Sequence, residues 1–234
     1  YHVWDNHPAP TYNKAWYEST DSIACISKVT KEIVDEVVPD HKDVYYLPHT
    51  VDTTVFAKNK DKKEVMNSRE SGFKSLDNPH ERTIFFWNNR NARRKQSGSL
   101  IFWFKAFLDE VGHDKATLLM HTDPKDVHGQ DLEYIIHHLG LDNGQVFLSR
   151  DKLPPEQLAV MYNIADCTIS VSDAEGFGLA TLESLACETP IIATLTGGLK
   201  EQVTDGKNWF GIGLEPTSKS VIGSQEIPFI YEDR

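Results

Sequence analysis

Two glutamates flank a glycine-rich stretch in the last third of the chain. Residues Glu175 to Glu183 read EGFGLATLE. Glycines at a strand-to-helix turn allow the backbone to approach a ligand closely, and a helix N-terminus offers free N–H groups to an anion. The stretch therefore predicts a binding loop for a polar, phosphorylated molecule.

Glu183 is predicted to lie on the buried face of the helix that begins near Gly178. The i, i+3, i+4, i+7 rule places it on one face with apolar residues. A buried ionised carboxylate is costly unless it is hydrogen-bonded, and ribose or sugar hydroxyls would be suitable donors. The alternative is a structural carboxylate paired with an Arg or with backbone amides. The apolar residues on the predicted face are Leu179, Leu182 and Ala186.

A cluster of cations forms a second group with potential chemistry, between a predicted strand and a predicted helix. Positive charge near a helix N-terminus opposes the helix dipole, so a bound anion would explain the cluster. The alternative is a solvated basic loop. The cluster consists of Arg90, Arg93, Arg94 and Lys95.

Short apolar runs alternate with amphipathic stretches from Thr83 onward, which predicts an α/β fold with a doubly wound parallel sheet. In such a sheet the ligand lies outside the carboxyl ends of the strands, and each predicted strand is followed by polar residues. The predicted strands are Thr83–Trp87, Thr117–Met120, Val146–Leu148, Cys167–Val171 and Pro190–Ala193. The predicted helices are Ser99–Val111, Asp131–Leu139, Pro155–Ala165 and Gly178–Cys187.

The first 50 residues show a separate strand, helix and strand pattern. Residues 52–82 are polar and lack a sustained pattern, so they are interpreted as a linker or an insertion. The aromatic residues of the helix over Ser99–Val111 are expected to lie mostly in the core. The N-terminal elements are predicted at Ser22–Ser27, Lys28–Val38 and Val44–Leu47, and the aromatic residues are Phe102, Trp103, Phe104 and Phe107.

The net charge, the apolar runs and the cysteine spacing exclude or disfavour several classes of protein. The formal net charge of −11 argues against nucleic acid or an anionic membrane as the main partner. No apolar run approaches the roughly 18–20 residues that span a bilayer. Three cysteines without a C-x-x-C spacing favour buried, reduced thiols in a cytosolic protein. Because the chain opens on Tyr1 and shows no closing helix, we expect a fragment cut at both ends.

A dinucleotide fingerprint is the main rival interpretation of the glycine-rich stretch, because Gly176, Gly178 and Thr181 nearly match G-x-G-x-x-G/A. That fingerprint belongs after the first strand of its unit, with an acidic residue about 20 positions further on. Here it follows the fourth predicted strand of the main sheet, and the next strand ends in Ala193-Thr194. Nicotinamide chemistry is therefore disfavoured.

These motifs resemble the retaining GT-B glycosyltransferases, especially family 4, also called glycosyl transferases group 1. That family has two glutamates separated by seven residues, with Gly-Phe-Gly after the first, as in Glu175 to Glu183. Its Arg and Lys after the first strand of the C-terminal domain match Arg90 and Lys95. Its Gly-Gly and Glu segment is similar to Gly197-Gly198 followed by Glu201. One departure is His49-Thr50, where the family has Asn-Gly.

The resemblance implies a role for each matched residue. Glu183 would hold the donor ribose and Glu175 the hydroxyls of the transferred sugar. Arg90 and Lys95 would neutralise the diphosphate leaving group. His2 would be the histidine that faces the donor sugar, with a surface histidine as the alternative. The implied catalytic residues are His2, Glu175, Arg90 and Lys95, and the implied donor-binding residues are Arg90, Lys95, Glu175, Gly176, Phe177, Gly178, Leu179, Glu183, Gly197 and Gly198.

The resemblance further implies transfer of a hexose from a nucleoside-diphosphate sugar to a saccharide or glycolipid acceptor, with retention of configuration. It implies no cofactor and no metal, in keeping with the lack of a D-x-D triplet. A cytoplasmic location follows, with no nucleic-acid partner and no transmembrane segment; peripheral membrane contact through an N-terminal domain stays open. A sugar-nucleotide epimerase and a non-catalytic carbohydrate-binding protein are the alternatives.

The same resemblance divides the chain into three parts. Taken alone, the chain is expected to bind a donor without turning it over, because most of the N-terminal domain is missing. The predicted parts are 1–50, the tail of an acceptor-side domain with the junction; 51–82, a polar linker; and 83–234, a truncated C-terminal domain that binds the nucleotide sugar.

Overall fold

The computed structural model describes residues 11–40, 42–223, 225 and 230–233. Within those ranges no helix is long and apolar enough to cross a membrane. The strands are β1 (Ser22–Cys25), β2 (Asp43–Tyr46), β3 (Thr83–Asn88), β4 (Ala116–His121), β5 (Val146–Ser149), β6 (Cys167–Ser170), β7 (Ile191–Thr194), β8 (Ile212–Leu214), β9 (Lys219–Ile222) and β10 (Ile230–Asp233). The α-helices are α1 (Lys14–Glu18), α2 (Lys28–Asp35), α3 (Lys62–Gly72), α4 (Ser97–Val111), α5 (Leu132–His138), α6 (Pro155–Ile164), α7 (Leu179–Ala186) and α8 (Leu199–Val203).

Contacts between Cα atoms divide the chain into two units. The first unit comprises Tyr1–Thr50, Ser172–Leu179 and Ala193–Arg234, and the second comprises Val51–Val171 and Ala180–Ile192. The predicted boundaries of the three parts are not tested by this division and stay a prediction.

A six-stranded sheet has the order β5-β4-β3-β6-β7-β8. The ladders of β3 with β4 and β6, and of β4 with β5, are parallel. This arrangement confirms the predicted α/β class with a parallel sheet. Each strand and helix predicted from the apolar pattern is present, with ends that differ by up to three residues.

The core of the second unit has two clusters, on opposite faces of β3. Successive side chains of a strand point to opposite faces, so Phe86 belongs to one cluster and Trp87 to the other. The Trp87 cluster includes buried residues of α4 and α5, and the Phe86 cluster includes Tyr162 of α6. Helices thus cover both faces, as the doubly wound prediction requires.

The predicted linker over 51–82 contains a helix that the sequence interpretation missed. The Asp61 side chain accepts hydrogen bonds from the amides of Lys63 and Glu64, which caps the N-terminus of α3. Phe73, just after α3, is 1% exposed and belongs to the Phe86 cluster. Part of this polar segment is therefore built into the core of the second unit.

The expected core packing of the aromatic residues of α4 is wrong for three of the four. Phe104 is 6% exposed, but Phe102, Trp103 and Phe107 are 59%, 50% and 39% exposed. The helix instead buries a mostly aliphatic face. Leu100, Ile101, Phe104 and Leu108 recur on that face at helical spacing.

The first unit contains β1 and β2 as a parallel pair connected through α2, which Ser27 caps by accepting a hydrogen bond from the Thr30 amide. It also contains an antiparallel hairpin of β9 and β10, for which the sequence interpretation made no prediction. The amide of Asp233 in this hairpin donates to the carbonyl of Asp173 at 3.1 Å.

Candidate functional site

The predicted site residues are distributed over both units. His2 lies outside the described residues. The proposed pair of carboxylates has Glu175 in the first unit and Glu183 in the second, so their joint action on one ligand stays a prediction. The first unit holds Glu175, Gly176, Phe177, Gly178, Leu179, Gly197 and Gly198, and the second holds Arg90, Lys95 and Glu183.

The predicted buried face of α7 is wrong for Leu179, whereas Leu182, Glu183 and Ala186 are partly buried. Leu179 is 45% exposed, whereas the fully buried side chains of the helix are Thr181 and Ser184. The Ser184 hydroxyl donates to the Thr189 carbonyl at 2.9 Å, and its oxygen is hydrogen-bonded to the Thr168 hydroxyl at 2.8 Å. Small hydroxyl side chains therefore form the inner face of α7, and Glu183 lies beside that face in a half-buried position.

The Glu183 carboxylate is the end of a hydrogen-bonded chain within the second unit. Tyr162 of α6, which is 0% exposed, donates its phenolic proton to Glu183 Oε2 at 2.7 Å. Asn88, the last residue of β3, donates its amide N–H to the Tyr162 oxygen at 2.9 Å. Burial raises the pKa of the Glu183 carboxyl, and the Tyr162 bond offsets part of that rise. The polar end of β3 thus fixes the orientation of this carboxylate.

Arg90 follows β3 and forms a two-point ion pair. Its Nε donates to Asp126 Oδ2 at 2.6 Å and its Nη2 donates to Asp126 Oδ1 at 3.1 Å. These bonds lower the pKa of the Asp126 carboxyl to about 2, so the pair is ionised throughout the neutral range. Contact of Arg90 with a diphosphate stays a prediction.

The segment between Arg90 and Lys95 is tied to the loop that follows β4. Asn91 is 0% exposed, and its side-chain amide donates to the Gln130 carbonyl at 2.7 Å. A Cβ atom at Gly129 would lie 2.2 Å from Asn91 Oδ1, so only glycine fits there. Lys95 ends a single turn of 3-10 helix before α4, and its side chain is 7% exposed. Its predicted phosphate contact is not tested by this geometry.

Glu175 lies in a loop that is held by several hydrogen bonds within the first unit. Ser172 donates its hydroxyl proton to Glu175 Oε1 at 3.1 Å, and the Gly198 amide donates to the Glu175 carbonyl at 2.8 Å. A Cβ at position 198 would come within 2.6 Å of Phe177 Cα. Gly198 therefore permits a close approach of two loops, whatever its relation to a ligand.

The backbone of the Gly-Phe-Gly loop is fixed by Gln202 of α8. The Gln202 side-chain amide donates to the carbonyls of Phe177 at 2.7 Å and Gly178 at 3.0 Å. Gly178 has φ of +93°, which a residue with a side chain rarely adopts. The ring of Phe177 makes an edge contact with the ring of His49, at 5.4 Å between centroids. His49 is one of the two residues that depart from the family pattern.

Glu201 bonds to the N-terminal elements of the first unit. Its Oε2 accepts a hydrogen bond from the Lys28 amide at 3.1 Å, and its Oε1 accepts one from the Tyr46 hydroxyl at 3.1 Å. Burial and the Glu201 charge raise the pKa of Tyr46 to about 12. A carboxylate at the first amide of α2 is also favoured by the helix dipole. These contacts give Glu201 a structural role within the first unit.

The cysteines and the possible metal ligands complete the inventory of reactive groups. Cys25, Cys167 and Cys187 are free thiols, and burial raises the pKa of each to about 11. Among the described residues, no three His, Cys, Asp or Glu side chains are grouped as a metal site. The predicted metal independence stays a prediction.

Solved glycosyltransferase structures share this fold. A sucrose-phosphate synthase from Thermosynechococcus elongatus aligns with a TM-score of 0.69 and 24% identity, over 88% of this chain and 48% of that one. HepE from Anabaena, solved with UDP and glucose, aligns with a TM-score of 0.67 and 16% identity, over 89% of this chain and 54% of that one. At these identities the likeness concerns the fold alone.

The sequence defines the family. The model of the family described as "Glycosyl transferases group 1" matches residues 69–220, well over half of the chain. The chain therefore belongs to that family. It is 29% identical over 165 residues to a D-inositol 3-phosphate glycosyltransferase from Corynebacterium jeikeium, which covers 69% of this chain and 38% of that protein. A D-inositol 3-phosphate glycosyltransferase from Corynebacterium kroppenstedtii is 30% identical over 171 residues. This match covers 72% of this chain and 36% of that protein. The chain thus spans well under half the length of these relatives.

Three residues that support the predicted site were missed in the sequence. Tyr162 lies in a predicted helix, and a buried tyrosine hydroxyl usually finds a polar partner, so its position was a usable signal. Asn88 is the last residue of β3, at the carboxyl end of the strand, where ligands of open α/β sheets bind. Asp126 had no comparable signal, since its pairing with Arg90 depends on how the loop after β4 folds back.

Proposed function

We propose that this chain is the donor-binding part of a retaining glycosyltransferase. The enzyme transfers a hexose from a nucleoside-diphosphate sugar to a saccharide or glycolipid acceptor, without a metal ion. The single observation that carries the proposal is the arrangement at Glu183. This half-buried carboxylate accepts a hydrogen bond from a buried tyrosine through Oε2, and among the described residues no hydrogen bond occupies Oε1, which we assign to a ligand hydroxyl.

Further observations support the same assignment. Arg90 and Lys95 follow a strand whose carboxyl end is the ligand side of an open α/β sheet. Positive side chains there would stabilise the charge that develops on a diphosphate leaving group. HepE from Anabaena, which shares this fold, was solved in complex with UDP and glucose, and this makes a UDP-linked sugar one donor class to test. In this proposal Glu175 contacts the transferred sugar, and His2 faces it from the N-terminal side.

Several properties of the whole protein follow as proposals. The three free thiols, two of which are buried, favour a reducing compartment, so we place the enzyme in the cytoplasm. The Corynebacterium relatives are D-inositol 3-phosphate glycosyltransferases, so D-inositol 3-phosphate is one acceptor to test. An N-terminal domain would supply the acceptor site and any contact with a membrane surface.

The experiment is sugar transfer by the full-length protein. Radiolabelled UDP-glucose and GDP-mannose are incubated with D-inositol 3-phosphate and with a panel of saccharides, and early products are examined by NMR for the anomeric configuration. We expect labelled product with the α configuration of the donor, and none from Glu175→Gln. Inversion would contradict the retaining mechanism. Interconversion of the donor without an acceptor would indicate an epimerase, and nucleotide binding without turnover a non-catalytic protein.

A further inference from the structure

We infer that Asp126 is a positioning residue, which holds the guanidinium of Arg90 in the orientation that receives the donor diphosphate. The inference rests on the proposed function, because it assigns Arg90 to the diphosphate. It adds a residue that lies outside the recognised motifs, in the loop after β4.

The geometry identifies Asp126 as the fixed partner of the pair. Its side chain is 13% exposed, whereas the side chain of Arg90 is 60% exposed. Asp126 Oδ1 also accepts a hydrogen bond from the His128 amide at 2.9 Å, which locks the carboxylate onto its own loop. The exposed arginine is therefore held against an anchored carboxylate.

The remaining donors of Arg90 are left for another acceptor. A guanidinium has five N–H donors, and the pair with Asp126 uses one on Nε and one on Nη2. Within the described residues, Nη1 of Arg90 has no hydrogen-bond partner and Nη2 has a second proton. Because Asp126 holds the Nε–Nη2 edge of the guanidinium, its Nη1–Nη2 edge points in a defined direction. Two parallel N–H groups along such an edge match two oxygens of a phosphate group.

The surrounding loop supports the same interpretation, because the two loops are joined at more than one point. The Arg93 amide donates to the His128 carbonyl at 3.2 Å. The Asn91 side chain donates to the carbonyls of Pro124 and Gln130. The loop after β4 thus supports the segment from Arg90 to Lys95 through these hydrogen bonds. An ion pair whose arginine is 60% exposed contributes little to stability by itself, so stability alone does not explain this arrangement.

A competing interpretation makes the opposite prediction. If Asp126 merely neutralised Arg90, it would compete with the diphosphate, and its removal would strengthen nucleotide binding. Positioning predicts that removal weakens binding. Asp126→Asn separates the two, because asparagine keeps an oxygen for the His128 amide while removing the charge that holds Arg90. Asp109→Asn is the matched control, since it removes the same charge from an exposed pair with Lys105 on α4.

The test is calorimetric titration of UDP and GDP into the full-length protein and its variants, with melting temperatures recorded for each. Relative to wild type, Asp126→Asn should weaken binding of the preferred nucleotide about fivefold to tenfold, a usual coupling between residues in contact. Asp109→Asn should leave the affinity unchanged. In an Arg90→Ala background, Asp126→Asn should have no further effect, because Asp126 acts only through Arg90.

The outcomes separate this inference from the proposed function. Unchanged or tighter binding by folded Asp126→Asn, beside a wild type that binds, would overturn the positioning role and leave the function intact. A further loss in the Arg90→Ala background would also overturn it. If Asp126→Asn proves unstable, Arg90→Lys repeats the test, since lysine keeps the charge without the fork and should weaken binding to a similar degree. A wild type that binds neither nucleotide would overturn both proposals.

Discussion

The phenol of Tyr162 and the carboxylate of Glu183 are joined by a hydrogen bond of 2.7 Å between two helices of the second unit. The tyrosine is fully buried, and Glu183 is half-buried. The bond therefore sets the direction of a carboxylate that would otherwise be free to rotate. Asn88 extends the arrangement to the end of β3. The orientation of Glu183 is thus a property of the sheet and of α6, as well as of the helix that carries it.

Replacing Tyr162 with phenylalanine tests this relationship. The change removes one hydroxyl and leaves Glu183 and Asn88 each without a partner, so we expect a loss of about 1–3 kcal/mol in unfolding free energy. Nucleotide affinity should fall about tenfold as the carboxylate loses its orientation. Urea unfolding and calorimetry measure the two effects. Tyr134→Phe is the control, because Tyr134 is 66% exposed; equal behaviour of the two variants would contradict the role of Tyr162.

Glu183 should give the protein a characteristic pH dependence. Its pKa is raised in the folded state from an ordinary value of 4.5. Protonation therefore contributes stability that is complete below pH 4.5 and is lost as the pH rises through the folded pKa. Glu183→Gln cannot titrate, so the variant should gain stability relative to wild type as the pH increases from about 4.5. Denaturant unfolding across this range measures the difference.

A control accompanies the pH series. Glu110→Gln removes a carboxylate from the exposed face of α4, and it shows what loss of a surface charge does to the curves. Curves for wild type and Glu183→Gln that stay parallel between acid and neutral pH would show that Glu183 does not titrate with a raised pKa.

Gly198 should tolerate no side chain. A Cβ there would lie 2.6 Å from Phe177 Cα and 2.7 Å from the Gly176 carbonyl oxygen. Gly198→Ala should therefore cost about 1–3 kcal/mol of unfolding free energy by overpacking. Gly72→Ala is the matched control, because its Cβ would meet only Ile164, at 3.9 Å. Thermal unfolding compares them, and similar melting temperatures for the two variants would contradict the close approach.

The two aromatic neighbours on α4 should differ sharply in their contribution to stability. Phe104→Ala is expected to cost about 3–5 kcal/mol, because Phe104 is buried in the core cluster around Trp87. Trp103→Ala should cost about 1 kcal/mol or less, since half of that side chain is exposed. Urea unfolding measures both changes. A larger cost for Trp103 would show that this face of α4 is covered.

The order and type of the main elements could be predicted from the sequence because their apolar runs are short and cleanly separated. The glycine-rich turn, with the carboxylates at its two ends, could be located for the same reason. The inner face of α7 could not, because periodicity treats leucines as the buried residues and α7 packs through Thr181 and Ser184. Helix α3 was hidden by polar composition, although Asp61 at its start is a recognisable cap.

The supporting contacts of the site needed the three-dimensional structure. Asp126 lies 36 residues from Arg90 in the chain, and Tyr162 lies 21 residues from Glu183. Neither pair follows from local spacing, because each depends on which strands are neighbours. The strand order brings β4 beside β3, which places the loop after β4 next to Arg90.

Calorimetric titration tests the proposed binding of a nucleoside-diphosphate donor through Glu183. UDP and GDP are titrated into the full-length protein and into Glu183→Gln. We predict that one nucleotide binds wild type and that the variant binds it about tenfold more weakly while remaining folded, as loss of a charge-assisted hydrogen bond requires. Absence of binding by folded wild type to either nucleotide, or equal affinity in Glu183→Gln, would contradict the claim.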